Sequence, residues 1–320
     1  MRFLEEVPIM DLKSTVAGIE LEHPVMNAAG PLCKTVEEVE ELARSPVAAV
    51  MVGSITKESR PVNPGDTYWS GPLGSLNSLG LPNGGEPYYT EHLAQMRQIV
   101  HAAGKPFFVS VAGFSPVEYG ELTELAVKGG ADAVELNLGC PNVWGESGTQ
   151  HRIASFDPLM VEEILRQVKM AMSGFPRQCP ITVKLSPFSD PLLLAEIAEV
   201  VKAASNVKAV VVVDTFPNAF AYDLETRKSA ISTDLSGGLA GLAGPSLKHI
   251  ALGQVLQWRK LLPADIDVIG VGGITTGADV QDYLRVGAAA VQVATAHADH
   301  GAGVFASLLA EFIGLYAVHS

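Results

Sequence analysis

Basic residues are scarce in this chain: 22 Lys and Arg stand against 35 Asp and Glu, a formal charge of −13 over 320 residues. That balance argues against DNA, RNA or an anionic membrane as the main partner. It leaves room for an anionic cofactor, because local backbone N–H groups can hold a phosphate on an acidic protein. Cysteine is scarcer still. Cys33, Cys140 and Cys179 form no CxxC pair and no zinc spacing; an odd, sparse set excludes a disulfide framework and fits a reducing compartment. No apolar run approaches the roughly 18–20 residues that cross a bilayer, and the acidic start Met-Arg-Phe-Leu-Glu-Glu-Val-Pro lacks the apolar core of a signal peptide. The expectation is a soluble, cytoplasmic protein. The eight histidines form no HxxxH or HxH set, so no metal site is expected; His297 and His300 are assigned a helix-end or surface role. No GxGxxG follows a strand, which leaves a Rossmann nicotinamide site unsupported.

What the chain has in quantity is apolar sequence in short runs. Apolar residues make up 48% and charged residues 18%, enough for a large core. Strands are read at 24–29, 48–55, 106–113, 133–140, 181–187, 209–215, 267–273 and 289–295. The run Ala209-Val210-Val211-Val212-Val213 shows no polar alternation, as expected of a parallel strand covered on both faces. Helical stretches lie between them at 35–44, 116–129, 158–173, 191–204, 246–262 and 278–287, with Val36, Val39 and Leu42 at helical spacing. Eight βα units without a linker or composition break predict an α/β fold, one (β/α)8 TIM barrel over residues 1–320, in preference to a doubly wound open sheet. Residues 57–89 break the rhythm. They are rich in Gly, Pro, Asn and Ser and lack helical period, so they read as a long excursion after the second strand.

Active sites of such barrels lie at the C-terminal ends of the strands, and the polar residues gather there: Asn27 to Gly30, Gly53-Ser54, Asn137 to Asn142, Lys184, Asp214-Thr215, Gly272-Gly273 and Thr295. In Asn137-Leu138-Gly139-Cys140-Pro141-Asn142 a strand delivers a thiol and two carboxamides into a loop, and Pro141 bars continuation. Carboxamides supply fixed donors and acceptors, while a thiol can move a proton. The bland alternative is a buried cysteine before a turn. Gly272-Gly273 and Ala294-Thr295 suit a phosphate held by backbone N–H groups, although glycine pairs are common in turns; Gly237 to Gly241 adds a third N–H-rich loop. Lys184, inside an apolar strand, is either a snorkelling strand-end lysine or a fixed cation beside a group that becomes negative. Gly74 to Asn83 has turn chemistry throughout and serves equally as a structural loop or a substrate clamp.

Taken together, these stretches resemble the dihydroorotate dehydrogenases, and within them the soluble class 1 branch. The matching pieces are Asn27 to Gly30, Gly74 to Asn83, Asn137 to Asn142 followed by Phe156-Asp157, Val183-Lys184-Leu185, Gly237 to Gly241, Gly272-Gly273 and Ala294-Thr295, in family order over residues 11–315. The resemblance implies an oxidoreductase of pyrimidine biosynthesis that oxidises dihydroorotate to orotate on FMN. The FMN phosphate would rest on Gly272, Gly273, Ala294 and Thr295; Ala28, Ala29 and Gly30 would line the isoalloxazine near Ser54, with Val213 and Gly241 in the same cofactor set. Lys184 would lie at the pyrimidine edge of the flavin. Asn77, Asn137 and Asn142, with backbone of Leu79, Gly80 and Leu81, would grip the substrate, and Asp214 and Thr215 would border it. Cys140 would be the general base, its thiol shifted modestly downward toward neutrality, and 144–155 would form a movable lid. The resemblance further implies a soluble electron acceptor such as fumarate and a homodimer.

Two positions depart from the class 1 pattern. The lysine expected before the serine at the end of the second strand is Gly53, with Lys57 nearby but out of register, and the asparagine expected after the sixth strand is Asp214. An ionised carboxylate about 4 Å from that of orotate would cost on the order of 4 kcal/mol at an effective dielectric of about 20. A related flavin oxidation of another dihydropyrimidine or an enone is therefore the alternative function.

Overall fold

The computed structural model describes residues 12–72, 74–144, 149–176 and 178–317. A small hairpin, β1 (Ser14–Val16) and β2 (Ile19–Leu21), leads into β3 (Val25–Asn27), α1 (Val36–Arg44), β4 (Val50–Ile55), β5 (Tyr68–Gly71), β6 (Gly74–Asn77) and α2 (Gly85–Ala102). There follow β7 (Phe107–Val111), α3 (Pro116–Lys128), β8 (Ala133–Asn137), α4 (Pro158–Met172), β9 (Ile181–Leu185), α5 (Pro191–Ala203), β10 (Val207–Val212), β11 (Phe216–Ala219) and β12 (Ala240–Ala243). The chain ends with α6 (Lys248–Leu261), β13 (Asp267–Val271), α7 (Gly277–Arg285), β14 (Ala290–Val293), α8 (Thr295–His300) and α9 (Val304–Ala317).

Eight parallel strands form the barrel in the order β3-β14-β13-β10-β9-β8-β7-β4. The seam between β3 and β4 is closed by one backbone bond, Ala48 N to Val25 O at 2.9 Å, and by the Asn27 carboxamide. That side chain accepts from Met51 N at 2.9 Å and donates to Met51 O at 2.8 Å, standing in for a ladder rung. All eight barrel strands fall within the stretches expected from their apolar runs, apart from a two-residue earlier start of β10. The barrel interior is filled by Met26, Met51, Phe108, Val211 and Ile269, and Val16 and Leu21 of the hairpin pack against them. The helices follow their start signals: Thr35 and Glu38 make a capping box on α1, and Ser115, Asp157 and Asp190 cap α3, α4 and α5, each with Pro at the first turn. No described helix is long and apolar enough to cross a membrane.

The excursion corrects the sequence expectation. It holds β5, β6 and the first turn of α2, and its strands join β11 and β12 in a four-stranded sheet ordered β11-β12-β6-β5. The glycine-rich 237–241 stretch likewise ends in a strand. β12 pairs antiparallel with β6, setting Gly241 opposite Asn77 and Ala243 opposite Ser75. Four-residue strands give too little alternation to read from sequence; pairing between segments about 165 residues apart is a tertiary event.

Candidate active site

An open cavity of about 1130 Å³ lies at the C-terminal end of the barrel, between the strand ends and this second sheet. Ala29, Gly30, Ser54, Asn77, Leu79, Gly80, Leu81, Asn137, Cys140, Asn142, Lys184, Val213, Asp214, Thr215, Gly272, Gly273, Ala294 and Thr295 all line it. Two expected site residues do not. Ala28 is buried behind the wall, its N–H donating to Val293 O at 3.0 Å. Gly241 stands behind the asparagines: its N–H donates to Asn142 Oδ1 at 3.1 Å and its carbonyl accepts from Asn77 Nδ2 at 3.5 Å.

Every carboxamide is fixed before anything binds. Asn142 Nδ2 donates to Asn77 Oδ1 at 2.6 Å, so the two heads are locked edge to edge against β12. Asn137 Nδ2 donates to Ser54 Oγ at 2.9 Å, which lies 2.9 Å from Ser110 Oγ, while Asn137 Oδ1 accepts from Gly139 N. A β-carbon at Gly241 would fall 2.2 Å from Thr215 Oγ1, and one at Gly139 would fall 2.8 Å from both Asp214 Cβ and Ser186 N. Glycine at these two positions lets three loops meet.

Cys140 sits half-buried in the loop after β8, whose backbone is held by Ser186 Oγ to Gly139 O at 2.7 Å and Gln150 Nε2 to Pro141 O at 2.7 Å. Contrary to the expected downward shift, burial pushes its thiol up to about 12, and Asp214 pushes the same way. The Asn142 N–H, Arg60 and Lys184 pull it down, but less. Burial disfavours the thiolate because it removes the water that would solvate the charge. Of the expected lid, residues 145–148 lie outside the described residues; Trp144 and Gln150 bridge across its base.

Lys184 is 4% exposed, which rules out snorkelling. Its Nζ lies 4.0 Å from Glu135 Oε1, and Glu135 Oε2 accepts from Gln292 Nε2 at 2.8 Å. Glu135 and Gln292 point into the barrel from β8 and β14. Sequence reasoning missed both, although a Glu inside an apolar strand is a signal of the same kind as Lys184. Gln292 Oε1 and Thr215 Oγ1 are buried without a hydrogen-bond partner among the described residues, and both residues line the cavity.

Gly272 and Gly273 turn at φ +124° and +68°. A β-carbon at Gly273 would meet Lys248 Cβ at 2.7 Å and Lys248 N at 2.9 Å, so the turn lies flush on the start of α6 with its bare backbone along the cavity. Ser75, Ala243, Gly244 and Thr275 complete this end, and Ser75 Oγ lies 3.5 Å from Thr295 Oγ1. Such a backbone cradle accepts a phosphate; the third N–H-rich loop expected at Gly237 to Gly241 does not line the cavity, and Ser75 of β6 with Ala243 and Gly244 at the end of β12 stand there instead.

The departures are also resolved. Gly53 has φ +116°, and a β-carbon there would fall 2.4 Å from Ser110 O. Lys57 is no substitute: it pairs with Glu86 at 2.9 Å and Glu121 at 2.8 Å, outside the cavity. Asp214 lines the cavity with Oδ1 accepting from Thr215 N at 2.6 Å. Lys34, which sequence reasoning passed over, lines the cavity too. Among the described residues no group of His, Cys, Asp or Glu could hold a metal. His297 and His300 lie in the last turn of α8, the helix-end position expected of them; His297 is buried there against Phe305, and burial lowers its pKa.

A family model described as dihydroorotate dehydrogenase matches residues 11–314. The chain is 34% identical over 301 residues to the dihydroorotate dehydrogenase A (fumarate) of Lactococcus lactis subsp. lactis (strain IL1403), covering 94% of this chain and 92% of that protein. It is 33% identical over 301 residues to the protein of the same name from Lactococcus lactis subsp. cremoris (strain MG1363), with the same coverage. To the probable dihydroorotate dehydrogenase A (fumarate) of Streptococcus pneumoniae serotype 4 (strain ATCC BAA-334 / TIGR4) it is 30% identical over 298 residues, covering 93% of this chain and 90% of that protein.

Proposed function

This chain belongs to the dihydroorotate dehydrogenase family, and we propose that it is an oxidoreductase acting on a CH–CH bond that oxidises dihydroorotate to orotate in pyrimidine biosynthesis, with residues 1–320 acting as one FMN-binding domain. The observation that carries this is the meeting of Cys140, Lys184 and the Asn77, Asn137 and Asn142 carboxamides with the Gly272-Gly273 turn around one cavity.

The residues fit a flavin mononucleotide. The Gly272-Gly273 backbone, Ala294 and Thr295 suit its phosphate, Ala29, Gly30 and Ser54 its flat ring, and the unpartnered Gln292 Oε1 offers an acceptor to a ring N–H. Bound there, the flavin would supply the redox chemistry by accepting hydride from the substrate. The remaining work falls to side chains. Lys184, already desolvated, stabilises negative charge that develops beside it, and Glu135 keeps the ammonium in place. The locked asparagines hold the substrate ring without reorganising. Cys140 removes the proton from the carbon next to the one that gives hydride; its raised pKa makes the free enzyme's thiol the resting form at neutral pH, so turnover rises with pH. A soluble acceptor such as fumarate would take the electrons from the bound flavin, and the same reading makes the protein a cytoplasmic homodimer.

Anaerobic addition of dihydroorotate to the purified, FMN-loaded protein tests this: the flavin absorbance should bleach, and fumarate should restore it. An unchanged spectrum with dihydroorotate and with orotate would refute the substrate assignment. A second substrate is favoured by Asp214 and Gly53: a dihydropyrimidine or enone lacking the carboxylate, which would bleach the flavin where dihydroorotate does not.

A further inference from the structure

Lys34 precedes the α1 cap, and its N–H donates to Glu38 Oε2 at 2.6 Å. Its neighbour Cys33 is hydrogen-bonded to Gly53 on both sides: Gly53 N donates to Cys33 O at 3.1 Å, and Cys33 Sγ donates to Gly53 O at 3.2 Å. Lys34 therefore leaves the backbone one residue from the point where the loop after β3 clasps the end of β4. Position 53 is where the family resemblance implies a lysine, and here it cannot take a side chain without displacing Ser110 O. The side chain of Lys34 lines the cavity and makes no ion pair among the described residues. Burial holds its ammonium below the usual pKa, while Cys33, Glu38 and Cys140 act in the opposite sense.

A half-buried ammonium without a counter-ion carries a desolvation cost that a bound anion would offset. Four anions could meet it. Glu38 is occupied at the α1 cap, where its Oε2 accepts from Lys34 N at 2.6 Å and Thr35 N at 3.1 Å, and it forms no ion pair with the Lys34 ammonium. Cys33 is buried with its thiol pushed up, so it is neutral. Cys140 is also a thiol at rest, and its leading electrostatic partners are Asp214, Arg60 and Lys184. Asp214 shares the cavity but does not pair with Lys34, and one of its oxygens is turned back on Thr215 N. The cavity thus holds an ammonium and a carboxylate apart. A ligand with an anionic group at one end and ring N–H donors at the other would satisfy both.

We propose that Lys34 is a specificity-determining residue of this site: it binds the substrate carboxylate, supplying from the loop after β3 the cation that Gly53 excludes, while Asp214 accepts from a ring N–H. In that orientation the ligand carboxylate lies away from Asp214, which removes the repulsion expected from an acidic residue at position 214. The assignment rests on the cavity being a dihydroorotate site.

The test compares orotate with orotamide, its neutral carboxamide, by titration calorimetry on FMN-loaded wild-type, Lys34→Met and Lys34→Arg proteins. A charge-assisted hydrogen bond predicts that Lys34→Met weakens orotate by about 10- to 100-fold and orotamide by less than about threefold, with Lys34→Arg recovering most of the orotate affinity. Retained orotate affinity in Lys34→Met, or equal weakening of both ligands, overturns the role of Lys34 while leaving the substrate assignment standing. Loss of FMN without a selective loss of orotate would assign Lys34 to the cofactor and overturn it as well. Wild-type protein that binds neither ligand would instead refute the dihydroorotate site itself, and Lys34 with it.

Discussion

The two ends of the cavity differ in how their charges are balanced. At the Lys184 end the ammonium has Glu135 behind it, Glu135 has Gln292, and all three come from barrel strands. At the other end the Lys34 ammonium comes from the loop after β3 and makes no ion pair among the described residues, while the Asp214 carboxylate comes from the loop after β10, where the Asp214 N–H donates to Leu185 O at 2.7 Å. The first arrangement is balanced in charge within the protein and leaves the Gln292 Oε1 acceptor open to a ligand, as suits a cofactor that stays. The second is completed only by something that arrives and leaves, as suits a substrate. Of the positions that depart from the class 1 pattern, Gly53 is bonded to Cys33 beside Lys34, whereas Asp214 is bonded to Leu185 beside Lys184.

Experiments that press on this contrast are ordered by expected effect. Cys140→Ser should lose about 10²- to 10⁴-fold in turnover at neutral pH while keeping flavin, with partial recovery in alkali; single-turnover bleaching measures it. Lys184→Met leaves Glu135 buried and unpaired, so it should destabilise the apoprotein by about 3–5 kcal/mol in denaturant titrations as well as abolish turnover. Lys34→Met, whose partner is missing from the protein, should be no less stable than wild type in the same titration. Equal stability losses for the two lysines would erase the distinction between the ends.

Gly53→Ala should cost about 1–3 kcal/mol by forcing a β-carbon onto Ser110 O, and Gly53→Lys should fail to supply a useful cation at that position. Asp214→Asn removes a negative charge that raises the Cys140 pKa. Lowering that pKa makes thiolate available at lower pH, so the rising limb of the kcat/KM profile should move down the pH scale. The smallest effect belongs to Thr35→Ala, which breaks the α1 capping box next to Lys34; a loss of about 1 kcal/mol should appear in thermal unfolding.

The barrel was legible because parallel strands covered on both faces must be apolar throughout, a signal carried by each run alone. Cys140, Lys184, Asn137 and Asn142 were legible because polar residues are out of place at the ends of such runs, whereas Asn77, inside the excursion, was marked only by the family resemblance. The β5-β6-β11-β12 sheet was not, since its strands are short and become strands only by pairing across the chain. Lys34 was missed because nothing distinguishes a lysine before a helix cap until its side chain is seen to enter the cavity. The downward shift expected for Cys140 failed because composition says nothing of how much water reaches a thiol.

The order and identity of the residues sufficed to determine eight βα units, their closure into a barrel and the chemical groups offered at its mouth, because these follow from periodicity and chain direction. Which charges face one another, which thiol is dry and which lysine lacks a partner were decided only when distant segments came within a few ångströms. Coulombic and desolvation energies depend on separation in space and on access to water, and neither is encoded at any single position of the chain.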